Sequence, residues 1–153
     1  MTRLLKDKSG SMFVYVLIIL TFLFSFSLIV SEFYRIHSIQ THGEYEIQRA
    51  VNISVEEAMH DSFRQDKLGR LDTARARQNF TNYLRQDLGL NTSMQMRADG
   101  RTVYTLRLDT VTATEDPPRL NVQGSIIIPS AYPFLSGDVE VPFNISSRNT
   151  RID

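Results

Sequence analysis

The chain has 153 residues, 17 basic and 17 acidic side chains, a net charge of zero and no cysteine. That length holds one membrane segment and one modest domain, which excludes a second catalytic domain. The charge balance speaks against a dedicated nucleic-acid surface, and the missing cysteine removes disulfides, thiolate metal sites and cysteine nucleophiles.

Residues 1–10, "MTRLLKDKSG", carry Arg3, Lys6 and Lys8 against a single Asp7. No charge follows until Glu32, and 12–30 is a run of 19 apolar or hydroxyl-bearing residues. At 1.5 Å per residue this run measures roughly 30 Å, the hydrocarbon thickness of a bilayer. The basic flank predicts a cytoplasmic leader (1–10), a transmembrane helix over 11–31 and an extracytoplasmic chain thereafter. A cleaved export signal has an apolar core of about 7–15 residues ending at small side chains. The nearest such site, Ser25-Phe26-Ser27, lies inside the run and precedes Leu28-Ile29-Val30, so the segment reads as an anchor.

Beyond Glu32 the spacing predicts a helical stem over 32–68. Ile47, Val51, Val55, Met59 and Phe63 recur every fourth residue beside Ala50 and Ala58, one apolar stripe on a helix whose other faces are charged. Continuous with the span, such a helix reaches roughly 80 Å, with Gly43 as the expected bend. A second helix is signalled by Asp72-Thr73 as cap, by Leu71, Ala74, Phe80, Tyr83, Leu84 and Leu88, and by Gly89 as stop. The short connection before it predicts that the two helices fold back and join their stripes.

From Asn91 the period changes to two. "MQMRADGRTVYTLRLDTV" reads as a hairpin about Asp99-Gly100, with Tyr104, Leu106 and Leu108 on one face. "RLNVQGSIIIP" repeats the alternation with Leu120, Val122, Ile126 and Ile128, and "DVEVPFNIS" with Val139, Val141, Phe143 and Ile145. Pro142 inside the last segment implies either an edge strand or a bulge. The whole is an α+β chain: a long N-terminal transmembrane helix continuing into a stem, a second helix, and a small antiparallel sheet of about four strands over 69–153, covered on one face.

Chemistry-bearing patterns are sparse. His37, His42 and His60 are not spaced as a ligand pair, no nucleophile elbow or phosphate-binding glycine loop occurs, and Glu56, Glu57 and Asp61 read as a solvated helix face. No cofactor, metal or catalytic residue is expected. Four Asn-x-Ser/Thr triplets, at Asn52, Asn79, Asn91 and Asn144, fall mostly in predicted helices and strands rather than in accessible loops.

The basic leader ending in Gly10, the apolar span, the "SEFYR" exit at 31–35 and the strand-rich, cysteine-free tail ending near "VPFNISSRN" together resemble the TadE/TadF-like pseudopilins of tight-adherence (Flp-type) pilus systems. The resemblance implies a pilin-like layout and a non-enzymatic minor subunit in the cytoplasmic membrane that helps assemble a pilus or related secretion apparatus. Its implied partners are the membrane, other pseudopilins, platform proteins and a prepilin peptidase cutting between Gly10 and Ser11. Contacts between subunits then fall to Tyr15, Glu32, Arg35, Tyr132 and Phe134. The chain departs from pilins at the fifth position after that cut, where Tyr15 stands in place of the glutamate that neutralises a neighbour's amino group. A buried amine without that carboxylate costs several kcal/mol, which favours a minor subunit over a main fibre subunit. The reading from another class is a single-span anchored binding or sensing module that uses the loop Ala131-Tyr132-Pro133-Phe134-Leu135.

Overall fold

The computed structural model describes residues 8–59, 70–133 and 137–147. His60, Phe63, Phe134 and most of the connection between the two helices lie outside the described residues. The element order is α1 (Lys8–Ala58), α2 (Thr73–Gln86), β1 (Gln95–Ala98), β2 (Arg101–Thr114), β3 (Arg119–Ile128) and β4 (Val139–Ser146). The expected α+β layout is therefore present: a long apolar N-terminal helix, a second helix, then a four-stranded antiparallel sheet in the order β1-β2-β3-β4. Contacts divide the chain into two units, Met1–Arg35 and Ile36–Asp153.

In the second unit one core joins three layers of the sequence. From α1 come Ile47, Ala50, Val51, Val55 and Ala58, the stripe expected from the period of four. From α2 come Ala76, Phe80 and Leu84, and from the sheet Tyr104, Leu106, Leu120, Val122, Ile126, Ile128, Phe143 and Ile145. Both helices thus pool their stripes over one sheet face. Each large apolar side chain fully withdrawn from water contributes about 1.5–3 kcal/mol. Ser54, also in the stripe, is fully buried because its hydroxyl donates back to the Ala50 carbonyl at 2.6 Å.

Three expectations for the helices change. The stem helix ends at Ala58, where Asp72 N–H donates to the Ala58 carbonyl (3.0 Å) and Met59 pairs with Leu71. Gly43 does not interrupt α1. It is buried, and a Cβ placed on it would come within 2.9 Å of Ile126 Cδ1, so the glycine serves a close approach of helix to sheet. In α2, Ala76 rather than Ala74 faces the core, because the stripe runs Ala76, Phe80, Leu84 at a spacing of four and leaves Ala74 exposed. The Asp72 side chain accepts from Arg75 N–H at 3.0 Å, the N-cap the sequence signals. Asp72→Ala is expected to lower stability by about 1 kcal/mol, measured as a shift in urea midpoint of the detergent-solubilised chain. At the other end Leu90 N–H reaches back to the Leu84 carbonyl (3.0 Å) past Gly89, and Leu90 enters the core.

The sheet follows the alternation, with two irregularities that no local pattern announces, one between Met96 and Arg97 in the β1–β2 pair and one in β2 against β3. The β1–β2 turn has positive φ at Asp99 (51°) and Gly100 (75°), as a tight hairpin requires. Along β2 and β3, Leu108 faces Gly124 but Thr110 faces Gln123, so Asp109 is an extra residue. This bulge moves the core-facing set from Tyr104, Leu106 and Leu108 to Val111 and Ala113. Leu106 N–H donates to the Met94 carbonyl (2.8 Å) on the β1 side, so Arg107 turns its backbone groups toward Ser125 of β3. The backbone N–H and C=O of Ser125 consequently point away from β4, and its partner Pro142 points its missing donor at the open edge. The edge reading of Pro142, rather than a bulge in β4, is the one the register shows.

Candidate functional site

The strongest functional feature is the surface of α1 before Ile36. From Met12 to Leu20, and at Phe22, Leu23, Phe24, Phe26 and Ile29, every large apolar side chain is exposed. The helix is long and apolar enough to cross a membrane, and none of its most apolar stretch is buried within the chain. A soluble helix of this composition would be covered on all sides. Polar atoms inside the stretch are tied to the helix itself: Thr21 Oγ1 donates to the Leu17 carbonyl, Ser25 Oγ to Thr21 and Ser31 Oγ to Leu28, each at 2.9 Å. In an apolar medium these bonds remove the desolvation cost of a bare hydroxyl.

The residues expected at the cleavage point, Gly10 and Ser11, and those expected at subunit contacts fall into four groups along the chain. Gly10 and Ser11 lie in the first turns of α1, and their side chains are outside the described residues. Tyr15 is 65% exposed within the apolar stretch. Glu32 and Arg35 meet as an i, i+3 pair: Arg35 Nε donates to Glu32 Oε2 at 2.9 Å and Nη2 to Oε1 at 2.8 Å. The Glu32 side chain is only 8% exposed, and the two-pronged contact holds it as a neutral pair where the apolar run ends. Phe33 and Tyr34 beside it are both 67% exposed, with rings edge to face at 6.2 Å. In the late loop, Tyr132 is half-buried and its N–H donates to Ser130 Oγ at 3.1 Å, while Phe134 lies outside the described residues.

A second polar cluster, unannounced by any motif, sits on the sheet face away from the helices. Arg107 on β2 donates through Nη2 to Ser125 Oγ on β3 (3.2 Å), pairs with Glu140 on β4, and holds Asp109 Oδ1 at 3.5 Å from Nε. The signal available in the sequence was only that Arg107 and Glu140 fall on the polar parity of their strands; which residues meet depends on register. The Ser125 hydroxyl, and then Arg107, hold the Glu140 carboxyl below its ordinary value of 4.5, outweighing partial desolvation. A carboxylate whose folded pKa is depressed stabilises above its unfolded pKa and loses that contribution as pH falls through the folded value. The stability gap between the parent and Glu140→Gln should therefore be present at neutral pH and shrink as the pH is lowered below the ordinary carboxylate range, read from urea midpoints along an acid series. The cluster ties β2, β3 and β4 together and has the form of a structural brace.

Inside the same unit, burial first and the Glu46 carboxylate second push the Tyr104 phenol above 10.0, so it stays neutral. Gln48 of α1 donates to the Ser146 carbonyl (3.0 Å) on β4, fixing stem to sheet edge. Among the described residues no three His, Asp or Glu side chains gather as a metal site, and every buried side-chain nitrogen or oxygen has a hydrogen-bond partner. No protein-family model, no curated protein and no solved structure matches the chain.

Proposed function

We propose that the chain is a non-enzymatic, membrane-anchored minor pseudopilin-like subunit that takes part in assembling a tight-adherence pilus or a related secretion apparatus. The observation that carries this reading is α1 itself. One helix presents a bare apolar surface over its first half and donates its second half to the core of a small antiparallel sheet unit. The basic leader supports insertion in the cytoplasmic membrane with the N-terminus inside and the sheet unit outside. Partners in this reading are other pseudopilins and platform proteins of the assembly system, with a prepilin peptidase acting at Gly10-Ser11.

Deleting the gene should abolish piliation, and mass spectrometry of the membrane-extracted protein should find a mature N-terminus at Ser11. Intact pili in the deletion strain would overturn the assembly role. In that case the anchored binding module becomes the working reading, tested by Tyr132→Ser against binding to envelope fractions.

A further inference from the structure

The spacing of aromatic phenols on α1 assigns its depth in the bilayer, and with it a role for Tyr15 and for the Glu32–Arg35 pair. We infer that residues 15–34 are the hydrocarbon-spanning segment, with Tyr15 and Tyr34 as its two interfacial anchors. This rests on the membrane reading above and refines it, since the charge-free run alone centres the span near Thr21.

Tyr15 and Tyr34 are the only tyrosines between Met12 and Arg35, and the chain has no tryptophan. Both are largely exposed, at 65% and 67%. Tyrosine gathers at membrane surfaces because its ring prefers the apolar side while its hydroxyl needs a wet partner. Nineteen residues separate the two, a rise of about 28 Å, against a hydrocarbon thickness of about 30 Å. A span over 11–31 would instead place the Tyr15 backbone about 6 Å below the surface and leave the largely exposed rings of Phe33 and Tyr34 beyond the hydrocarbon.

The register also explains the pair at the end of the run. Glu32 lies two residues inside Tyr34, where a lone carboxylate is costly, and Arg35 lies one residue outside it. The two-pronged contact at 2.8 and 2.9 Å neutralises the carboxylate at that depth, with the guanidinium reaching inward from the headgroup level. Thr21 and Ser25 then fall near mid-membrane, where their bonds to backbone carbonyls leave no bare hydroxyl.

The absence of native cysteine makes the test direct. Single cysteines placed in turn from Ile19 to Ile29 of the full chain are labelled with a nitroxide and reconstituted into phosphatidylcholine vesicles. Depth is read from relaxation by oxygen against a water-soluble nickel chelate. The deepest site is expected at Phe24 or Ser25, and in a Tyr34→Leu background the maximum should move by at least one residue. A maximum at Thr21 would overturn the register while leaving the span intact, as would a maximum unmoved by Tyr34→Leu. Full nickel access at every site would overturn the membrane reading itself.

Discussion

Gly124→Ala is expected to unfold the sheet unit or to lower its stability by at least about 3 kcal/mol. A Cβ on this residue would collide with the Arg107 carbonyl oxygen and lie 3.1 Å from its carbonyl carbon, far inside contact distance. The obstacle is backbone, and Arg107 cannot retreat because it is laddered to Ser125 on one side of the bulge at Asp109. Phe143 Cζ, at 3.1 Å, closes the space toward β4. Relief requires parting β2 from β3 at the centre of the sheet, which also opens the packing of Val122 and Ile126, both without exposure. The control is Gly137→Ala, where no described residue lies within 4 Å of the added carbon and the urea midpoint should hardly move. Equal midpoints for the two variants would show that the bulge yields cheaply and would sink the argument.

Phe80→Ala is expected to cost about 3–5 kcal/mol. Among the described residues Phe80 is the largest side chain with no exposure, and it stands between Ala76 and Leu84 at the centre of the buried face of α2. Truncation leaves a cavity within a core cluster that draws fully buried positions from both helices and strands, so collapse is limited. Circular dichroism of the detergent-solubilised variant should show an early thermal transition. If the assembly role holds, the same variant should remain in the membrane fraction yet lose its partners in co-purification, because the apolar surface of α1 is untouched. A Phe80→Leu variant should recover much of the stability, since the volume is largely restored. A Phe80→Ala midpoint equal to the parent would mean that α2 is not an integral part of the unit.

Much of the fold was legible because it rests on local periods. A spacing of four placed Ile47, Val51 and Val55 on one face whatever they packed against, and a period of two did the same for Val141, Phe143 and Ile145. Asp99-Gly100 and Asp72 act over three or four residues, so their turn and cap needed no knowledge of the rest of the chain. Gly43 shows the limit. Its sequence context is that of a helix bend, and only the position of Ile126, more than eighty residues later, reveals a contact too close for a side chain.

The candidate site divides in the same way. The apolar run, its basic flank and the acid-free position at Tyr15 are one-dimensional properties legible along the chain, as are the alternation of the strands and the edge-compatible Pro142. Which residues meet emerges only from the packed chain: Arg107 with Glu140 across Ser125, Gln48 with the Ser146 carbonyl, Gly124 against the Arg107 backbone, and the extra residue at Asp109. The physical reason is register. One inserted residue in β2 reverses which side chains reach the core without altering the alternation of any short window, and strand order and helix placement are settled by the summed packing of segments distant in the chain. The Glu32–Arg35 pair lies between the two cases: its spacing of three was visible, but the burial that makes its neutrality matter was not.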